Sequence, residues 1–134
     1  MTKASLKTHP VHLGLGATAT IEPAFTGDIA WYEAYMTRHA SDGAEARIVA
    51  LHSFSEPWGM WEMHPEGEEV VLCISGAMTL HQEDPDGTTR QVTLAPGEYA
   101  INGRGVWHTA DVEGEATALF ITAGLGTEHR ARKG

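Results

Sequence analysis

Two glutamates and two histidines, carried in the segments WEMHPEGEEVVLCISG and GRGVWHTA, have the side-chain types to hold a divalent metal ion. Imidazole nitrogen and carboxylate oxygen are both donors for such ions. Glu62 and His64 stand two residues apart on one predicted strand, so both project from the same face. Pro65, Glu66, Gly67 and Glu68 read as a solvated acidic turn, after which Glu69 opens the returning strand opposite the pair. His108 reaches the same neighbourhood from far along the chain, just inside a strand that follows a glycine-rich turn.

The elements that must position these residues are short and extended. Stretches 47–54, 58–64, 69–75, 77–82, 89–94, 98–102, 106–112 and 116–122 all read as strands, with Gly, Pro, Asp or Asn in the gaps. DPDG at 84–87 and GRG at 103–105 supply tight turns. The predicted fold class is therefore all-β, at sandwich or barrel spacing. Ahead of it, DIAWYEAYMTRHA places Trp31, Tyr35 and Arg38 on one helical stripe with Asp28 as N-cap, giving a short helix packed outside the barrel. Residues 1–46 form an arm with this helix and a short strand near 17–21, 47–122 the barrel core, and 123–134 a polar, frayed tail, in one domain overall.

The spacing resembles the two cupin motifs, G-x5-H-x-H-x(3,4)-E-x6-G and G-x5-P-x-G-x2-H-x3-N. His64, Glu69 and Gly76 match the first, with Glu62 at its first His and Glu56 at its opening Gly. Gly97, Gly105 and His108 match the second, with Gly103 for its Pro and Val112 for its Asn. The resemblance covers roughly residues 47–122. It implies a double-stranded β-helix, a jelly-roll barrel with a short N-terminal helix. It also implies one divalent metal ion (Fe, Mn, Zn or Ni) on Glu62, His64, Glu69 and His108, and a small-molecule ligand or substrate. Dioxygenase, isomerase and decarboxylase chemistry on a small chelating molecule are the enzymatic readings, with the catalytic residues unassigned. A non-catalytic binding or sensing module, or a barrel without metal, are the alternatives.

Met60 shares strand parity with Glu62 and His64 and should face the cavity, while Trp61 and Met63 face outward. A strand apolar on both faces needs a cover, which in cupins is commonly a second subunit, so a homodimer is expected; the helix or the N-terminal arm is the rival. Trp58 and Trp107 read as core or interface. His52 and His81 stay off the ligand set as structural or exposed strand histidines, and His9, His12, His39 and His129 read as solvated. Arg104 is expected at the surface.

Nine basic against eighteen acidic residues give a formal charge of −9, which repels phosphate backbones and anionic lipid and argues against nucleic-acid and membrane partners. Cys73 is the single cysteine, so no internal disulfide exists, and its apolar neighbours predict a buried thiol. With no apolar leader and no apolar run long enough to span a bilayer, a cytoplasmic protein is expected.

Overall fold

The computed structural model describes residues 2–133. It contains strands β1 (Val11–Gly14), β2 (Thr18–Ile21), β3 (Arg47–Phe54), β4 (Met60–Met63), β5 (Glu69–Ser75), β6 (Met78–Glu83), β7 (Thr89–Leu94), β8 (Tyr99–Asn102), β9 (Trp107–Val112), β10 (Ala116–Thr122) and β11 (Glu128–Ala131). One helix, α1 (Ile29–Arg38), precedes β3, followed by a 3-10 turn over Ala40–Glu45. The strands make two antiparallel sheets, ordered β2-β1-β3-β10-β5-β8 and β11-β4-β9-β6-β7. The all-β jelly-roll expectation holds.

Strict alternation builds the core. In β10 every second residue, Ala116, Ala118, Phe120 and Thr122, turns inward. Val71 and Cys73 of β5, Met78 and Leu80 of β6, and Ala110 and Val112 of β9 meet them from the two sheets. Cys73 is fully buried among them, as its apolar neighbours predict. Gly76, between β5 and β6, has φ 74°, and a Cβ there would stand 2.1 Å from the Glu115 carbonyl oxygen. Only glycine fits that turn, which gives the motif position its physical reason.

Helix α1 starts where Asp28 accepts a hydrogen bond from the Trp31 backbone N–H, and it buries Trp31 and Tyr35 against Ile48. It lies over the barrel interior rather than only along the outer wall, because Ile29, Tyr32 and Met36 line the internal cavity.

Three expectations are corrected. The N-terminal arm forms a hairpin, β1 with β2, that extends the larger sheet through β3; the weak alternation of VHLG hid β1. The tail is not frayed, since β11 pairs with β4 in the register Glu128↔Met63, His129↔Glu62, Arg130↔Trp61. Its Arg130 guanidinium lies 5.1 Å from the Trp61 ring centroid and 4.6 Å from that of Trp107, and it also pairs with Glu83. On the outward face of β4, Trp61 is thus covered by Arg130 from the chain's own C-terminal strand, neither by the helix nor by the N-terminal arm.

His12 and His39 are also not solvated. Their rings stack at 3.6 Å; His12 bonds the Tyr35 hydroxyl and Asp42, both at 2.7 Å, and His39 meets Glu22 at 2.9 Å. Although His12, His39 and Asp42 lie close enough to share an ion, both His12 nitrogens and Nε2 of His39 are already engaged. The cluster ties the hairpin to α1 and the 3-10 turn.

Candidate metal centre

Cross-strand register brings the four expected ligands together. In the smaller sheet, Glu62 of β4 stands opposite His108 of β9, with His129 on the far side of Glu62 and Gln82 on the far side of His108. In the larger sheet, Glu69 of β5 stands between Thr122 of β10 and Asn102 of β8. The two rows meet across the barrel interior. Because β4 and β5 belong to different sheets, Glu69 opposes Glu62 and His64 across the barrel, not as the next strand of a hairpin. Pro65–Glu68 carries the chain from one sheet to the other, and the bond from the Gly105 N–H to the His64 carbonyl, 3.0 Å, pins the end of β4 to the second-motif turn.

The hydrogen-bond network fixes the state of both imidazoles. The Thr127 hydroxyl donates to the Gly124 carbonyl at 2.8 Å, so its oxygen must accept from Nδ1–H of His64, also at 2.8 Å. The Val106 carbonyl can only accept, so His108 turns Nδ1–H toward it, at 3.4 Å. Each ring therefore presents Nε2 inward, and among the described residues both Nε2 atoms are buried without a hydrogen-bond partner. What they face is carboxylate. His108 Nε2 lies 3.2 Å from Glu69 Oε1 and 3.6 Å from Glu62 Oε2, and His64 Nε2 lies 3.3 Å from Glu69 Oε2. A bare lone pair against a carboxylate oxygen is repulsive, so positive charge belongs between them, as a proton on the ring or as a cation.

Donor atoms of Glu62, His64 and His108 lie within 4.8 Å of one another. Opposed donors on one ion with bonds of about 2.1 Å stand about 4.2 Å apart, so these residues fit a single ion after a small contraction. Glu69 touches both imidazoles but is also held from behind: Oε1 accepts from the Asn102 amide at 3.0 Å and Oε2 from the Thr122 hydroxyl at 2.6 Å. Asn102 is in turn oriented by the Gln82 amide at 2.7 Å. Each Glu69 oxygen retains a second lone pair directed at the site.

Electrostatics follow from this packing. Burial by itself would raise both carboxyl pKa values. The close imidazole of His108 and the hydrogen bond with His129 instead hold Glu62 down at about 2, and the imidazoles of His108 and His64 beside Glu69 hold that carboxyl far below the usual carboxylate range. Burial would likewise depress His108, but Glu62 and Glu69 push it up to about 9. The Tyr32 phenol is pushed up to about 12, first by burial and then by the same two carboxylates, so it stays protonated.

Above the cluster opens a cavity of about 480 Å³, roofed by Tyr32 and Met36 of α1 and walled by Phe54, Trp58 and Phe120. Met60, Glu62 and His64 line it, as strand parity predicts. His52 and His129, assigned no functional role from sequence, line it too. Glu66, Glu68 and Arg104 are exposed, as expected.

Three solved structures share this architecture. They are the oxalate decarboxylase of Bacillus subtilis (19% identity, 72% of this chain and 26% of that one, TM-score 0.54), an oxalate oxidase (18%, 60% and 44%, 0.53), and hydroquinone 1,2-dioxygenase from Sphingomonas sp. TTNP3 with 4-hydroxybenzoate bound (20%, 57% and 59%, 0.50). All three are cupin-family proteins. The barrel is a cupin fold. No protein-family profile and no curated protein matches the chain by sequence. The chain spans between about a quarter and three fifths of these neighbours' lengths. Among the described residues no helix is long and apolar enough to cross a membrane.

Residues that sequence reasoning missed in this barrel are the supports: Asn102, Thr122, Gln82, Thr127 and His129. A signal for three of them exists. Thr122, Gln82 and Asn102 each sit at the inward parity of a strand whose preceding inward position is apolar, and each closes the strand or stands one residue from its end.

Proposed function

We propose that this cupin is a metal-dependent enzyme acting on a small organic molecule, with one divalent ion held by Glu62, His64, Glu69 and His108. The observation that carries the reading is the pair of buried, unpartnered imidazole nitrogens aimed at two carboxylates below an open cavity. With two glutamates and two neutral imidazoles, the donor set balances both charges of the ion. Oxygen-rich shells of this kind favour Mn²⁺, Fe²⁺ or Zn²⁺ over copper at equal availability. A divalent ion bound there supplies Lewis acidity toward an oxygen of the bound molecule. The chain's own residues do the rest: Thr127 and Val106 orient the imidazoles, Asn102 and Thr122 orient Glu69, and the apolar cavity walls exclude water.

Elemental analysis of protein purified without added ions tests this directly, with about one equivalent of metal per chain as the expected result. Glu62 has about a third of its side chain exposed, so Glu62→Ala should weaken metal retention while the fold persists. Unchanged metal content in that variant removes Glu62 from the shell.

The proposal includes a cytoplasmic homodimer. Tyr99 and Ile101 on edge strand β8 are 64% and 52% exposed, and a second copy would cover that apolar edge. Light scattering should give twice the mass of the chain; a monomer at micromolar concentration removes the dimer.

A further inference from the structure

Among the histidines that line the cavity, His52 touches neither the metal centre nor its carboxylates. His52 lies on β3, on the wall of the cavity, and its ring packs against Phe25, Phe120 and Phe54 at centroid distances of 5.1, 5.7 and 6.3 Å. Three aromatic neighbours fix the ring's orientation, yet no hydrogen bond from the described residues engages its nitrogens. Burial pushes its pKa down, so it offers a neutral imidazole, one nitrogen a donor and the other an acceptor.

The charge of the lining is equally one-sided. Glu56, Glu62 and Glu69 contribute carboxylates, and neither Lys nor Arg lines the cavity. The other bases nearby are committed: His129 meets Glu62 at 3.3 Å, while His64 and His108 face the two glutamates at the cluster. With the ion's two charges already balanced by Glu62 and Glu69, an anionic guest would bring a charge that nothing in the wall offsets. Phe54, Trp58, Phe120 and Tyr32 instead offer ring faces and edges to a planar apolar body.

We infer that the cavity takes an uncharged aromatic molecule bearing oxygen functions, and that His52 is its second anchor, hydrogen-bonding one polar group while another faces the glutamate–histidine cluster. This rests on the proposed use of the same cavity for substrate. It sets the chain apart from a protein built for a dicarboxylate such as oxalate, whose two negative charges would find no cationic side chain here.

An isosteric pair isolates charge from shape: 4-hydroxybenzamide and 4-hydroxybenzoate, titrated calorimetrically into the full chain, with metal content measured on the same samples. The amide should bind at least tenfold more tightly than the carboxylate. His52→Phe, which keeps an aromatic wall, should weaken amide binding at least tenfold, and His52→Gln, which keeps a donor and an acceptor, should stay within about threefold of the parent. Equal or tighter binding of the carboxylate, unchanged amide binding in His52→Phe, or no amide binding at all overturns the inference. A metal-free protein that still prefers the amide through His52 supports it and removes the metal from the proposed function; a metal-loaded protein that prefers the carboxylate does the reverse.

Discussion

His108→Phe is expected to lower affinity for a divalent ion at least a hundredfold, more than any other single change at the centre. His108 is fully buried at the middle of the site, opposite Glu62 in one direction and Gln82 in the other. Phenylalanine fills nearly the same volume but offers no donor, so the change removes one coordinate bond without opening a cavity. Loss of a group that merely orients a ligand already costs about 10- to 100-fold in metal affinity, and loss of the ligand itself exceeds that. The substitution also strips Glu62 and Glu69 of the imidazole that contacts both. Two carboxylates left facing each other without a cation repel, and the metal-free variant should unfold at lower temperature than the metal-free parent. Competition against a chelating dye reads the affinity, and a variant that keeps parental affinity would place the ion, if any, away from His108.

Much of this geometry was legible because barrel strands enforce a period of two. The stretches 47–54, 89–94 and 116–122 coincide with β3, β7 and β10, since each is a short run carrying β-branched residues between turn-forming neighbours. The same parity put Met60, Glu62 and His64 toward the cavity and Trp61 outward. What could not be read was which strands are neighbours. Glu69 was expected to return beside β4, yet the turn at 65–68 crosses between sheets, and local sequence does not distinguish a hairpin turn from a crossing. β11 was missed for a related reason: EHRA is short and polar, and its strand character comes from pairing with β4 and from Arg130 resting on Trp61 and Trp107, contacts between residues far apart in the chain. His12 and His39 show the same limit. Their burial depends on a hairpin, a helix and a 3-10 turn meeting, none of which is visible from the histidines themselves.

The polar ends of the inward rows have a physical reading that joins fold to site. Glu69, Asn102, Thr122, His108 and Gln82 each continue an inward-facing series that is otherwise apolar, and neighbouring members stand opposite one another in register. The barrel is packed with Val71, Leu80, Ala110, Ala118 and Phe120 deeper along the same rows. It thus has a dry end that supplies stability and a polar end that places Glu62, Glu69 and His108 on rigid strands, with His64 immediately after β4.

That division predicts how the metal-free protein responds to pH, the second large effect. In the absence of an ion, the charge between the carboxylates must be a proton on imidazole, and His108 titrates at about 9 instead of 6.5. A raised folded-state pKa stabilises fully below the unfolded value and loses that contribution as pH rises through the folded value. Glu62, lowered from 4.5 to about 2, works in the opposite sense: its contribution is present above 4.5 and disappears as pH falls through 2. Chelator-treated protein should therefore be most stable between pH 4.5 and 6.5. It should lose about 3 kcal/mol between pH 6.5 and pH 9 as the His108 proton leaves, His129 adding to the same alkaline loss through its bond to Glu62. With metal bound the alkaline limb should vanish, because the ion replaces the proton and competes better as protons become scarce. Thermal melts across this range, with and without chelator, measure both curves. Coincident curves would mean that the charge between Glu62, Glu69 and the two imidazoles is never supplied by a metal.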